Sequence, residues 1–469
     1  MAIYINNSLS RKKEEFTPLN PPQVNIYTCG VTVYGESHIG HARSLYIFDV
    51  IRKYLEYRGY KVNFVRNITD IDDKIINKAK ELGVTAKEVA EKYTNSYYED
   101  IKALGINKAD SEPKATDNID GMIKHIQGLI DKGFAYESKG DVYFIVRKFK
   151  DYGKLSGQNL EQMLAGTRIE KDGNKKDPLD FALWKKFKEG EPKWSSPWGE
   201  GRPGWHIECS VMSQRFLKTD TLDIHAGGCD LIFPHHENEI AQSESLTGKQ
   251  FAKYWIHHGL LTIHAQKMAK SLGNFITIKD FIAKYRDVDI LKLFFLSAHY
   301  SQPIDFTEEK MQESRKQRFS FNDFFDRVNN WPMLKEKTQI DFSEKDKESI
   351  DNFCVKFQES MDNDFNTPQA LARLFELMDL SKRFVSSDKK EAFSYAKFKI
   401  EKFFGILGLR VKTKEEVDEK IKELIQERDL AKQKKDFKKA DSIREKIEKD
   451  FGYFVSDTST NVTITKIEK

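Results

Sequence analysis

The feature that most constrains the fold is a succession of strand, glycine-bearing turn, helix and second strand near the N-terminus. The segments are VNIYTCGV, GESHIGHARSLYIFDVIRKYLEYRG and YKVNFVRNI. β-Branched and aromatic residues favour strands in the first and third segments, and helical spacing of apolar residues marks the second. Ser37 is predicted as the helix N-cap. This βαβ pattern predicts a parallel sheet, which binds ligands at the carboxyl ends of its strands.

Alternating strand and helix patterns occur again later in the chain, which predicts one sheet divided by an insertion. They lie in LDIHAGG, HHENEIAQSESLTG and KYWIHHGLLTI, and the stretch from about 119 to 204 separates them from the first unit. Beyond about Asp305 only helical periods remain, which predicts a second, α-helical domain. A third unit begins near Thr413, which fits a capping box with Glu416, and its tail is a candidate β-hairpin.

Composition excludes several classes of protein. The 469 residues contain no apolar stretch of the ~18 residues that a membrane span needs, and MAIYINNSLSRKKEEF lacks a signal-peptide core. We therefore expect a cytoplasmic protein with no membrane partner. The net charge of +4 neither requires nor excludes RNA. The 4 scattered cysteines form no disulfide framework, so each is a buried thiol, a metal ligand or a nucleophile.

The turn before the first helix carries two histidines, in His38-Ile39-Gly40-His41. Free backbone N–H groups and the positive end of a helix favour a phosphate at such a turn. The histidines are three residues apart and can face one ligand, while Gly40 leaves room for a ring or phosphate near the backbone. Capping or core packing is the alternative interpretation of both histidines.

A second basic motif, KMAKS, follows a β-rich run and contains Lys267 and Lys270. Two lysines in a loop just past a strand can place two positive charges on a triphosphate without occupying the sheet. A charged loop by itself is usually only a solvated loop. The pairing with the histidine motif more than 200 residues upstream makes the pattern specific.

A candidate metal site combines residues from three segments. His235 and Glu239 are four apart on a predicted helix and can face one ion. Cys29 and Cys209 would complete a set of two thiolates, an imidazole and a carboxylate. Sequence spacing alone does not join these segments, and two inert buried cysteines beside a surface His–Glu contact is the alternative.

The two basic motifs resemble the HIGH and KMSKS signatures of class I aminoacyl-tRNA synthetases. Within that class, the chain resembles the cysteinyl-tRNA synthetases over about residues 3 to 458. Ala269 stands where KMSKS usually has serine, and NVTITKIEK lacks the tryptophan and arginines that many relatives carry near the end. The resemblance is carried by NIYTCGVTVYGESHIGHAR, RNITDIDDKI, GRPGWHIECSVM, LIFPHHENEIAQSES, KMAKSLGNF, MDNDFNTPQAL and RDLAKQKKDFKKADSIRE.

The resemblance implies an α/β fold with a Rossmann-like parallel-sheet catalytic domain split by an insertion. It places the catalytic domain at 1–118 and 205–304, an inserted connective domain at 119–204, a helical tRNA-binding domain at 305–410 and a C-terminal anticodon-binding domain at 411–469. The implied activity is ATP-dependent activation of L-cysteine to cysteinyl adenylate, followed by transfer to tRNA(Cys). We expect the enzyme to be a monomer.

The resemblance also assigns residues to ATP, which binds with Mg²⁺. The implied catalytic residues are His38, His41, Lys267 and Lys270, and the same four with Gly40 form the implied ATP-binding set.

The resemblance maps the metal candidates onto the zinc ligands of that family, with one Zn²⁺ per chain. Soft thiolates and imidazole suit zinc better than magnesium. The substrate cysteine would bind the ion as a thiolate, so serine is rejected without an editing domain. We predict that Cys229 is not a ligand and that His236 and Glu237 are less suited to the role. The implied ligands are Cys29, Cys209, His235 and Glu239.

Four further residues are predicted to contact substrate. Trp205 and Asp230 resemble residues that line the amino-acid pocket of the family, although each alone would be an ordinary core aromatic or loop acid. Thr69 and Asp70 lie nearest the end of a predicted strand and are favoured for function. The following Asp72 and Asp73 are better explained as charges at a helix N-terminus.

Two alternative functions would explain part of the same sequence pattern. A cysteine ligase that transfers cysteine to an amino-sugar would share the motifs but has little use for an anticodon-binding unit. An RNA-binding module with a structural zinc would leave both phosphate motifs unexplained.

Overall fold

The computed structural model describes residues 2–160, 174–268, 273–330, 342–387, 389–411, 419–434, 436–451, 453–457 and 462–466. Ala269, Lys270 and the predicted capping box of Thr413 and Glu416 lie outside these residues.

Strands and helices alternate through the first two thirds of the described chain, and helices dominate the rest. The strands are β1 (Tyr4–Asn7), β2 (Lys12–Glu15), β3 (Gln23–Thr28), β4 (Lys61–Arg66), β5 (Ala135–Ser138), β6 (Asp141–Phe144), β7 (Phe181–Lys186), β8 (Gly201–Pro203), β9 (Leu222–Gly228), β10 (Ala252–His258), β11 (Leu261–Ile263), β12 (Gln266–Lys267), β13 (Ile304–Phe306), β14 (Tyr453–Asp457) and β15 (Val462–Lys466). The helices are α1 (Ile39–Tyr57), α2 (Asp73–Leu82), α3 (Ala86–Leu104), α4 (Ile119–Asp131), α5 (Trp205–Leu217), α6 (Glu237–Thr247), α7 (Ile278–Tyr285), α8 (Val288–Leu296), α9 (Glu308–Asn330), α10 (Glu344–Asp362), α11 (Thr367–Ser386), α12 (Lys390–Ile406), α13 (Glu419–Gln433) and α14 (Phe437–Phe451).

A parallel four-stranded sheet in the order β10-β9-β3-β4 forms the centre of the fold. Strand β3 pairs with β4 over its whole length and with β9 on its other side. The chain between β4 and β9 contains a separate antiparallel sheet in the order β5-β6-β7-β8. The predicted parallel sheet divided by an insertion is confirmed. All four parallel strands end at one edge, which is where their following loops meet.

Helix α1 follows β3 and begins one residue later than the sequence suggested. The N-cap is His38, whose backbone is extended at φ −106° and ψ 168°, so the prediction of Ser37 is wrong. An imidazole nitrogen caps the helix here, while the Ser37 carbonyl accepts a hydrogen bond from the Ile278 N–H at 2.9 Å. The first turn is thereby joined to the start of α7.

The remaining described chain is mainly helical. Helices α9 to α12 pack through aromatic contacts such as the stacked Phe357 and Phe403 rings, and they share one apolar core with α1. Helices α13 and α14 form a hairpin over a small separate core around Ile443 and Ile447. The predicted terminal hairpin is confirmed as the antiparallel pair β14 and β15. Among the described helices, none combines the length and apolarity needed to cross a bilayer.

Candidate active site

A cavity of about 470 Å³ opens at the carboxyl ends of the parallel strands. Loops after all four strands contribute to the region, so one opening collects side chains from distant parts of the sequence. Of the predicted site residues, those that line it are Cys29, His38, Gly40, His41, Trp205, Asp230 and Lys267.

The two motif histidines form a stacked pair at the start of α1, with ring centroids 3.7 Å apart. The Nδ1 atom of His38 accepts hydrogen bonds from the N–H groups of Gly40 (3.1 Å) and His41 (3.3 Å). In return, the His38 N–H donates to Nδ1 of His41 at 3.4 Å. Because Nδ1 is the acceptor in both neutral rings, each carries its proton on Nε2 and offers an N–H donor there.

Position 40 favours glycine because the His38 ring occupies the space that a side chain would need. A Cβ atom at Gly40 would lie 2.9 Å from the Nδ1 and Cε1 atoms of His38. Phe275 packs in a T-shaped contact with that ring, with centroids 5.2 Å apart. The His38 ring is therefore fixed by α1 and by the segment that follows the lysine motif.

The electrostatic surroundings keep His41 neutral. Burial lowers the pKa of His41 well below its ordinary value, and electrostatic interactions with His38 and Lys74 lower it further. At neutral pH this side chain therefore acts as a neutral hydrogen-bond donor and not as a fixed cation.

Arg43 does not line the cavity but holds the loop after β10, whose Leu260 does line it. Its guanidinium is buried and donates to the carbonyl groups of Gly259 (2.7 Å) and Leu260 (2.9 Å), which follow β10. Two more carbonyls, at Tyr300 and Gln302, accept from the same group. These bonds tie the loop after β10 to α1.

The four predicted metal ligands come together beside this cavity. Their ligand atoms all lie within 4.8 Å of one another. The Sγ atoms of Cys29 and Cys209 are 3.7 Å apart, and Oε1 of Glu239 lies 3.4 Å from the Cys29 sulfur. The Nε2 atom of His235 lies 3.0 Å from the same carboxylate oxygen. Two sulfurs, a nitrogen and an oxygen at these separations form a donor set suited to zinc.

Charges within this cluster compensate for its burial. Burial opposes the charged form of Glu239, but His225 and His235 outweigh it and hold the carboxylate pKa well below its usual range. Burial likewise opposes the His235 cation, yet Glu239 and Cys209 raise its pKa to about 10. Glu239 is thereby held as an anion, whereas burial and the neighbouring Cys209 and Glu239 raise the pKa of the Cys29 thiol well above its ordinary value.

Three neighbouring side chains contact the ligands, and two of them, His225 and His206, were missed in the sequence. His225 contacts Oε2 of Glu239 at 2.7 Å, and His206 contacts His235 through their Nδ1 atoms at 2.9 Å. His236, placed outside the predicted ligand set, lies 3.3 Å from the Cys29 sulfur. Such partners orient ligating groups. Only the strand position of His225 and the helix-start position of His206 hinted at this role.

His236 also belongs to a second combination of possible ligand atoms, with Cys29, His225 and Glu239. Glu237 belongs to neither combination among the described residues, because its carboxylate accepts from the N–H groups of Gly153 (2.9 Å) and Ser156 (2.8 Å).

Trp205 connects the cluster with the cavity. Its ring stacks on His235 with centroids 4.3 Å apart, and 38% of the residue remains exposed. Cys229 belongs to neither combination of ligand atoms among the described residues. Its neighbour Asp230 lines the cavity, and a Cβ at Gly228 would lie 2.4 Å from the Asp230 carboxylate.

The acidic segment after β4 makes contacts within the protein. The Thr69 hydroxyl donates to the buried Glu208 carboxylate at 2.9 Å, and Asp70 accepts from the N–H (2.9 Å) and hydroxyl (2.6 Å) of Thr116. Neither residue lines the cavity, and their role as substrate contacts stays a prediction.

The next two acids belong to the helix that follows. Asp72 caps α2, as predicted for a helix N-terminus, and Asp73 binds Lys185 at 2.8 Å and also Arg202.

Two family models match the chain. Residues 15–316 match the catalytic domain of class I (C) tRNA synthetases, and residues 356–412 match the DALR domain. The first match covers the central sheet and its insertion, and the second lies within the helical part.

Full-length relatives are similar throughout. A cysteine–tRNA ligase of Thermodesulfovibrio yellowstonii is 50% identical over 465 residues, covering 94% of this chain and 95% of the relative. A cysteine–tRNA ligase of Geobacillus thermodenitrificans is 48% identical, covering 95% of both chains.

Solved structures share the fold. Methionyl-tRNA synthetase of Mycobacterium tuberculosis with methionyl-adenylate has a TM-score of 0.59 at 14% identity, covering 82% of this chain and 88% of that one. A LeuRS–tRNA–LeuAMS complex of Agrobacterium radiobacter has a TM-score of 0.59 at 11% identity, covering 84% and 85%.

Proposed function

The chain belongs to the cysteine–tRNA ligase family of class I synthetases, and from this premise we propose how its cavity performs the reaction. The enzyme activates cysteine with ATP and charges tRNA. In the first step a carboxylate oxygen of cysteine attacks the α-phosphorus of ATP, and the bond to pyrophosphate breaks with its electron pair. No nucleophilic side chain is needed, so the protein must align the reactants and stabilise negative charge.

The stacked histidines carry this proposal. His38 and His41 offer neutral N–H donors at the start of α1, where the positive end of the helix dipole also favours phosphate, although the backbone N–H groups of this turn are already bound within the protein. Lys267 lies on β12 and lines the same cavity, so its ammonium can neutralise phosphate charge. Lys270 and an ATP-bound Mg²⁺ would add to that neutralisation. These groups act on charge that develops as pyrophosphate leaves.

Cys29, Cys209, His235 and Glu239 would hold a zinc ion. A bound zinc would supply a soft Lewis acid that prefers the thiolate of cysteine to the hydroxyl of serine. Trp205 lies on the ligand His235 and also lines the cavity, so its exposed face would contact the amino acid. Asp230 and, by the same proposal, Thr69 and Asp70 would contact substrate as well.

In the second step a ribose hydroxyl of the terminal tRNA nucleotide attacks the adenylate carbonyl, and AMP leaves. The helical part from 305 to 410 and the unit from 411 would bind tRNA(Cys) and read its anticodon. The hairpin of α13 and α14 has its own small core, which supports a separate anticodon-binding unit. An enzyme that transfers cysteine to an amino-sugar would have no evident use for such a unit. We further propose that the enzyme acts as a cytoplasmic monomer, with an inserted domain at 119–204.

Amino-acid-dependent ATP–pyrophosphate exchange with each of the twenty amino acids tests the first step. Exchange should depend on cysteine and remain low with serine. Transfer assays with tRNA(Cys) and with an amino-sugar then test the acceptor. Charging of the sugar in place of tRNA would contradict the proposed function.

A further inference from the structure

A further cation faces the nucleotide cavity and belongs to neither motif. Lys74 lies in the first turn of α2, immediately after the loop that follows β4. Its side chain is exposed and lines the same cavity as His41 and Lys267. The ammonium lies 5.4 Å from the ring centroid of Tyr34, which also lines the cavity. A cation–π contact therefore directs this lysine towards the opening.

The carboxylates closest to Lys74 in sequence do not neutralise it. Asp70 is bound by Thr116, Asp72 caps the Lys74 N–H at 2.8 Å, and Asp73 forms ion pairs with two cations of the insertion. Within the described parts of the chain, the Lys74 ammonium has no carboxylate at ion-pair distance.

The next lysine of the same helix face provides a contrast. Lys78 lies one turn further along α2 and pairs with Glu81 at 2.9 Å. It does not line the cavity. Lys74 therefore lines the cavity without a carboxylate partner, whereas Lys78 lies away from the cavity and is paired. Of the two lysines, Lys74 is the one suited to bind an anion.

The position of Lys74 complements that of Lys267. Strand β4 is one edge of the central sheet and β10 is the other, and the two lysines follow these opposite edges. The Lys74 charge is also close enough to contribute to the lowered pKa of His41. An anion beside the stacked histidines would therefore be approached by cations from both sides of the sheet.

We propose that Lys74 is a catalytic residue that binds the polyphosphate of ATP during adenylate formation. This inference rests on the proposed function of the cavity. The cysteine carboxylate oxygen bonds to the α-phosphorus while the bond to pyrophosphate breaks, and the electron pair leaves on pyrophosphate. Lys74 keeps its proton and neutralises the charge that accumulates on the leaving oxygens.

The test compares Lys74→Met with the control Lys78→Met in cysteine-dependent ATP–pyrophosphate exchange. Removing one electrostatic contact of this kind typically lowers the rate by about 10²-fold, so Lys74→Met should lose roughly 10- to 100-fold. Lys78→Met should stay within about twofold, because surface ion pairs contribute little. Lys74→Arg keeps the charge and should recover part of the loss.

A second measurement separates ATP from the other phosphates of the reaction. Transfer from preformed cysteinyl adenylate to tRNA should be unchanged in Lys74→Met. Equal exchange rates in the two methionine variants, or a loss confined to transfer, would overturn the proposal. If the unmodified enzyme shows no cysteine-dependent exchange, the proposed function itself fails.

Discussion

The candidate active site has two halves that differ in burial and charge: a buried half around the candidate metal ligands, and an open half around the nucleotide cavity. Around the candidate metal, Cys209, His235 and Glu239 are 0 to 1% exposed and touch one another directly. Around the nucleotide cavity, Lys74 and Lys267 are exposed and follow opposite edge strands of the central sheet in the chain. The first half is buried and pairs its charges within the protein, whereas the second presents exposed lysine side chains.

This difference follows from what each half must do. Distinguishing a thiol from a hydroxyl requires a chemical preference that pocket shape provides poorly, so a fixed set of soft ligands is effective. Stabilising a departing pyrophosphate instead requires charge that is accessible to a large anion. We therefore propose that the buried half determines selectivity and the open half determines rate.

The largest effect should come from removing a ligand of the buried half. Cys209→Ser replaces a buried soft thiolate, and both metal content and cysteine activation should fall. The loss should exceed the 10- to 100-fold that loss of an orienting partner typically costs. Metal analysis of the purified variant and pyrophosphate exchange measure the two effects. Cys229→Ser is the matched control and should change neither.

Cobalt substitution shows whether this half selects the substrate sulfur. A thiolate that joins the metal should change the sulfur-to-metal charge-transfer band when cysteine is added, whereas serine should leave the spectrum unchanged. If cysteine has no effect on the spectrum, the metal is structural. The preference for cysteine would then have to come from the pocket around Trp205.

A smaller effect is expected in the open half. His41→Ala removes one N–H donor and should slow pyrophosphate exchange by about 10²-fold. Metal content should stay normal, because His41 is not part of the buried cluster. His41→Asn retains an N–H donor and should lose less. Unchanged exchange in His41→Ala would contradict the role of the histidine pair.

The alanine variant should also be slightly less stable. His41 accepts the His38 N–H in the capping box of α1, and loss of a cap typically costs about 1 kcal/mol. Thermal unfolding measures this cost and separates it from the effect on rate.

Periodicity in the sequence predicted the parallel sheet, whereas the set of four ligands followed only from the family resemblance, and the side chains around them were not predicted. Strand periodicity places Cys29 after β3, and helical spacing places His235 and Glu239 on one face. The His206–His235 contact joins residues from two segments that meet only in the folded chain. The N-cap was misassigned because serine is a common cap, while two stacked imidazoles form an unusual one.

The smallest effect is expected from a substitution of His206, which tests whether the side chains that contact the metal ligands hold them in place. His206 contacts Nδ1 of His235, while Nε2 of His235 faces Glu239 and the other ligands. His206→Phe keeps an aromatic ring beside Trp205 but removes the nitrogen that orients His235. Such partners typically contribute 10- to 100-fold in metal affinity, and we expect the lower end, about 10-fold, because Trp205 still stacks on the ligand ring.

Competition with a zinc-binding dye measures the affinity. Excess zinc should restore cysteine-dependent exchange in His206→Phe but not in His41→Ala, since only the former defect lies in metal retention. An affinity equal to that of the unmodified enzyme would show that stacking and the ligand set alone keep the buried half in place.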